Sequence, residues 1–228
     1  MSIADNIAAV QARIRDACAR AGRDAADVTL IAVSKTKPLQ MVREAAAAGQ
    51  HQFGENRADA LVERTEALPD EHFHFIGNLQ TNKVRLVVGR TPLIHSVDSW
   101  HLLQKINARA GFLGLVQPVL LEVNISGEES KSGFASDDVA GIVSDAAAQC
   151  ANVQVNGLMT MAPFVGTDDA EQLRWIFAGL RELAERLRAR TGCALPQLSM
   201  GMSGDYEVAV EEGATLVRVG TAIFGTRN

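Results

Sequence analysis

The sequence predicts a closed (β/α)8 barrel, with residues 1–228 forming one domain. Three observations predict it. Eight short apolar runs read as strands, and helical segments separate them, which is the alternation of a parallel sheet. Eight such units fill 228 residues with little to spare, near the lower size limit of that barrel. Two segments, AAAAGQHQFGEN and VAVEEGATLVRVGT, repeat one order of helix, Gly, short strand, Gly. A doubly wound open sheet is the competing arrangement, but no Gly-rich phosphate fingerprint follows the first strand.

The elements follow in order. An extra N-terminal helix carries Ile3, Ile7, Val10 and Ile14 at helical spacing, with Gly22 at its C-terminal cap. Leu30 to Val33 form the apolar run of a strand buried on both faces, and Pro38, lacking an N–H, ends or turns it. A helix over 39–48 closes at Gly49, and HQFGEN (51–56) leads into a polar helix reaching Leu68. Strand FHFIG (73–77), helix 79–88, strand LIHSVD (93–98) and helix 99–110 continue the alternation. Strand 118–126 runs into the charged loop GEESKSGF (127–134) and a helix over 136–149. Strand 153–159 is followed by a turn at Ala162-Pro163 and a long helix over 168–190. Strand LSMG (198–201), helix 205–213, strand 215–220 and TAIFG complete the chain. Trp100 and Trp175 fall on helices and are expected to pack against the barrel.

Composition excludes several classes. The net charge of −5 argues against nucleic acid as a partner, since such binders show a basic excess. MSIADNIAAV has no basic lead and is not a signal peptide, and no run approaches the roughly 20 apolar residues of a membrane span. Cys18, Cys150 and Cys193 are far apart and odd in number, which reads as three small buried hydrophobes in a reducing cytoplasm.

A barrel carries its chemistry at the C-terminal ends of its strands. The last two ends, Met200 to Ser203 and Arg218 to Thr221, are rich in Gly and Ser/Thr, as phosphate-binding loops are. Ser203 is expected to N-cap the helix at 205, Gly220 to let the backbone approach an anion, and Thr221 to add a hydroxyl. Lys35 alternates with Val33 and Ile31, so it points inward; desolvation there lowers a lysine pKa, and an extended chain would put Lys37 on the same face to lower it further. An amine of lowered pKa is a Schiff-base nucleophile. Such a lysine opposite a phosphate cradle describes pyridoxal 5′-phosphate (PLP) or a phosphosugar aldolase substrate. His72 and His74 have a metal-like spacing, but later strand ends offer no partner histidine, and His74 reads as a core histidine with a backbone partner. Lys131 in the charged loop reads as solvated.

Eight motifs then carry a resemblance across nearly the whole chain: AVSKTKP (32–38), FGEN (53–56), HFIGNLQTNK (74–83), IHSVD (94–98), NISGEESKSGF (124–134), GLMTMAP (157–163), LSMGMSGD (198–205) and VRVGTAIFG (217–225). With these the sequence resembles the pyridoxal phosphate homeostasis proteins. The resemblance implies a fold-type III PLP barrel like the N-terminal domain of alanine racemase. It implies that Lys35 is the internal aldimine lysine, that Ser203, Gly220 and Thr221 hold the cofactor's phosphate, and that Met202 also lines the cofactor site. It places Arg218 at the pyridine nitrogen and Asn56, Ile76 and Met159 along the ring. It implies a cytoplasmic monomer that binds, buffers or delivers PLP to PLP-dependent apo-enzymes without efficient catalysis. An amino-acid racemase and a Schiff-base aldolase are the alternatives. The racemase needs a second acid/base, for which the only tyrosine, Tyr206, is badly placed; the aldolase would need Glu122.

Overall fold

The computed structural model describes residues 2–128, 132–162 and 170–226. Lys131, Pro163 and the expected helix start at 168 lie outside the described residues. The chain begins with α1 (Ile3–Arg20), β1 (Thr29–Val33), α2 (Leu39–Ala47), β2 (Gln52–Glu55), α3 (Ala58–Ala67) and β3 (His72–Phe75). Next come α4 (Val84–Val87), β4 (Ile94–Val97), α5 (Trp100–Phe112), β5 (Gln117–Asn124) and a two-residue strand β6 (Phe134–Ala135). Then α6 (Val139–Gln149), β7 (Val153–Met159), α7 (Ala170–Thr191), β8 (Gln197–Ser199), α8 (Tyr206–Glu211), β9 (Leu216–Val219) and α9 (Thr221–Phe224) follow.

The strands pair in parallel in the order β1-β2-β3-β4-β5-β7-β8-β9, and β9 pairs back onto β1, so the eight close into the expected barrel. β6 pairs with the end of β5, through Val123 and Phe134. The predicted N-terminal helix is α1. Its first turn is fixed by a capping box, in which Ser2 Oγ accepts from the Asp5 N–H at 3.1 Å and the Asp5 carboxylate accepts from the Ser2 N–H at 2.9 Å. Its stripe of Ile7, Val10, Ile14, Ala17 and Cys18 is buried, and the helix packs against α8 and α9.

Two apolar clusters result from the alternation of side chains along each strand. The large one lies between strands and helices. The small one, Ile31, Leu93, Leu120, Met159 and Leu216, fills the barrel interior. Two residues beyond Leu93, Leu120 and Leu216 on the same strand faces stand His95, Glu122 and Arg218, all buried. The interior therefore changes from apolar to polar toward the C-terminal mouth.

Three local expectations are corrected. The helix expected over 79–88 is a 3-10 turn at Thr81–Lys83 followed by α4, because Leu79 turns into the core and Gln80 is extended. Trp100 does pack on the core, but Trp175 is 59% exposed, on the outer side of α7. Cys18 and Cys150 are buried, while Cys193, in the loop after α7, is only partly so.

Gly157 marks the tightest strand contact. A Cβ there would lie 1.8 Å from the Gln197 carbonyl oxygen, where the register of β5 on β7 shifts. Backbone, unlike a long side chain, cannot swing away. Gly157→Ala is expected to destabilise the fold by about 3 kcal/mol, measured by urea denaturation.

Candidate functional site at the barrel mouth

β1 ends in a pinned turn. The Ser34 N–H donates to the Gly54 carbonyl at 3.0 Å, and the Lys37 N–H closes back onto the Ser34 carbonyl at 3.0 Å. Thr36 sits at φ +64°, the left-handed conformation that a tight turn demands. Ser34 Oγ donates to Glu55 Oε1 at 2.6 Å, and Glu55 is 1% exposed. Burial raises the Glu55 pKa, with the Ser34 hydroxyl and the Arg64 guanidinium, 3.7 Å away, opposing it. Arg64 also donates to the Lys37 carbonyl, so both ends of the turn are held. Lys35, partly buried, lies in the turn that these contacts hold, between Ser34 and Lys37.

Lys37 does not share the face of Lys35. The turn ends the extended run, and the Lys37 ammonium donates to the carbonyls of Phe224, Gly225 and Thr226 at 3.2, 2.8 and 2.9 Å. These are the exposed acceptors at the C-terminal end of α9 and just beyond, which suit a cation.

The facing wall comes from β9 and the loop after β8. Ala32 is in register with Val219, so Gly220 stands level with Val33; a Cβ on Gly220 would meet the Val33 side chain at 3.4 Å. Ser203 does not cap α8. Its Oγ accepts from the N–H groups of Gly220 at 3.1 Å and Ala222 at 3.4 Å, while Asp205 occupies the N-cap position of α8. The reason is local: the Asp205 carboxylate takes the Met202 N–H at 2.5 Å, which turns Ser203 toward α9. Ser203, Gly220 and Thr221 are therefore one cluster, brought together by a contact the sequence did not reveal. Met202 stands at the rim, 37% exposed.

Arg218 lies below this cluster, 5% exposed. It donates to Ser199 Oγ at 2.5 Å and to the Thr160 carbonyl at 3.1 Å. Burial pulls its pKa down to about 10, with the charges of Asp205 and Glu122 opposing, so it remains a cation at neutral pH. The Glu122 carboxyl is pushed up to about 7, by burial first and then by Asp98, with Arg218 opposing. Asn56 and Ile76 follow the ends of β2 and β3, where the Ile76 N–H donates to the Glu55 carbonyl at 2.9 Å. Gly54 makes room for Ile76, since a Cβ there would lie 3.0 Å from Ile76 Cδ1. Met159 is buried in the interior cluster. All nine expected site residues thus stand at the same end of the barrel, on six of its eight strands.

The sequence reading missed the layer beneath. His95 is fully buried; its Nδ1 lies 2.8 Å from Ser199 Oγ and its Nε2 lies 3.0 Å from His74 Nδ1. His74 Nε2 lies 2.9 Å from Gln52 Oε1, so the partners of His74 are side chains rather than backbone. With both ring nitrogens engaged, His74 has none left for a metal, and His72 is exposed. LIHSVD places the His95 side chain on the face of Leu93, which marks it as inward but says nothing of its partners.

Burial, then the charge of His72, brings the His74 pKa from 6.5 to about 4. The unfolded chain therefore binds the extra proton between about pH 4 and 6.5 while the fold does not, and stability rises with pH across that window. His74 alone is expected to contribute about 3 kcal/mol to that slope. His74→Gln, which keeps a donor and an acceptor but does not titrate, is expected to flatten it in urea melts run from pH 4 to 6.5.

The profile of the family described as alanine racemase, N-terminal domain, matches residues 6–228. A pyridoxal phosphate homeostasis protein of Aquifex aeolicus (strain VF5) is 43% identical over 100% of this chain and 99% of its own. One of Pseudomonas aeruginosa is 45% identical over 100% and 96%. The structure of PipY of Synechococcus elongatus PCC7942, solved with PLP bound, aligns with a TM-score of 0.84 at 38% identity, covering 98% of this chain and 100% of that one. Agreement of this extent, along the full length of the relatives, places the chain in the family of pyridoxal phosphate homeostasis proteins, built on the alanine racemase N-terminal domain.

Proposed function

We propose that this protein binds PLP at the C-terminal mouth of the barrel and serves to hold it and release it to PLP-dependent apo-enzymes in the cytoplasm, without efficient turnover of its own. The observation that carries the reading is the meeting of two chemistries across the β1–β9 seam. A lysine amine is framed by the Ser34–Glu55–Arg64 contacts on one side. On the other stands a hydroxyl and backbone cluster at Ser203, Gly220 and Thr221. Neighbouring strands lie about 4.8 Å apart, so one small molecule with an aldehyde and an anionic tail spans both. The donor set fits PLP: one amine, a guanidinium, hydroxyls, and an apolar wall of Ile76 and Met159.

Bound PLP supplies an aldehyde open to amine attack and an aromatic ring that can take up electrons. Lys35 is the nucleophile toward that aldehyde. Ser203 and Thr221 orient the anionic end. Arg218, a permanent donor, would serve the ring nitrogen and leave it without a proton, which would weaken the ring as an electron sink and disfavour transamination. Tyr206, the only tyrosine, is buried on α8 with Arg13 beside it, which does not favour a racemase acid/base there.

The test is retention. Mixed with PLP and reduced with borohydride, the wild-type chain is expected to gain the mass of the reduced cofactor at Lys35. Lys35→Ala is expected to gain none and to lose its visible absorption after gel filtration. A wild-type chain that stays colourless with excess PLP would refute the reading.

A further inference from the structure

The hydrogen bonds beneath Arg218 have a direction that the donor inventory fixes. A guanidinium only donates, so Ser199 Oγ accepts from Arg218. The serine proton then goes to its other partner, His95 Nδ1, at 2.8 Å. His95 must carry its own proton on Nε2, which it gives to His74 Nδ1 at 3.0 Å. His74 in turn carries its proton on Nε2 and gives it to Gln52 Oε1 at 2.9 Å. The far end fixes the same order, because Gln52 Oε1 can only accept: His74 donates from Nε2 and accepts at Nδ1, so His95 donates from Nε2 and accepts from Ser199 at Nδ1. The run crosses the barrel interior from the mouth to its N-terminal face, where Gln52 and His74 line a depression of about 290 Å³. Ser199 and His95 are fully buried and His74 is 6% exposed, so water does not compete for these bonds.

This arrangement does something a carboxylate could not. An acid at position 199 would pair with Arg218 and hold its charge inside. A neutral hydroxyl, itself oriented by a neutral imidazole, fixes the guanidinium in place and leaves its charge to the mouth. We propose that His95, acting through Ser199, is a positioning residue for Arg218 and thereby sets how tightly the mouth retains PLP. The proposal rests on the PLP reading above and deepens it by naming residues with no access to the cofactor themselves.

Two measurements test it. Imidazole nitrogen NMR on the cofactor-free protein is expected to show both His74 and His95 as neutral Nε2–H tautomers; an Nδ1–H tautomer at His95 overturns the directed chain. PLP release is then followed by trapping the freed cofactor with an excess apo-enzyme. Ser199→Ala and His95→Leu are expected to speed release about tenfold. His95→Gln, whose amide can accept from Ser199 and donate to His74, is expected to stay within about threefold of wild type. In an Arg218→Gln background, His95→Leu is expected to add nothing, because its effect passes through the guanidinium. Equal effects of His95→Leu with and without Arg218 would mean general loosening and overturn the proposal. Unchanged release in Ser199→Ala would overturn it too. A wild-type chain that takes up no PLP defeats the functional reading, and the positioning role with it, while leaving the tautomer result standing.

Discussion

Thr29 to Ala32 pair residue for residue with Leu216 to Val219, and that seam closes the barrel. The site depends on this pairing. Without it the Lys35 turn and the Gly220 turn would belong to opposite edges of an open sheet, seven strand spacings apart. With it they are neighbours, and the register puts Val33 level with Gly220 rather than one residue off. A slip by one residue would turn Ile31 and Arg218 to the opposite face of the sheet, because side chains alternate with a period of two.

The second constraint is the charge that the closed barrel encloses. Arg218 is nearly inaccessible and still ionised. Two features make this tolerable. Its N–H groups reach Ser199 and Thr160, and the carboxyl groups of Glu122 and Asp205 favour its charged form without a hydrogen bond to it in either case. The apolar cluster below is small, five residues, and beside it run the hydrogen-bonded side chains of Ser199, His95 and His74. The barrel thus positions a cation by neutral contacts, which preserves its field for an anionic or polar guest.

Much of this was legible in the sequence. The eight barrel strands stood out because buried parallel strands are apolar runs stopped by Gly, Pro or a polar pair, as at Leu30–Val33 and Leu216–Val219. The mouth residues followed, since strand ends can be listed once the fold is known. What escaped the reading has two causes: local turns whose conformation no residue pattern announces, and contacts between residues far apart in the chain. Ser203 looked like a cap for the helix that follows it, and only the Met202–Asp205 contact shows why it turns to Gly220 and Ala222 instead. Lys37 looked like a companion of Lys35 until the left-handed Thr36 separated them. His95 drew no notice because no local pattern tells a histidine bonded to Ser199, 104 positions away, from one packed among leucines.

The grip of Lys37 on the carbonyls of residues 224 to 226 spans 187 to 189 positions of sequence. It ties the turn carrying Lys35 to a stretch synthesised long after it. A nascent chain on the ribosome can assemble the early strands, but it has no completed mouth until this distant stretch emerges and docks. Completion of the mouth therefore waits on residues 224 to 226, and the long loop closure this requires makes their docking a slow step of folding relative to local helix formation.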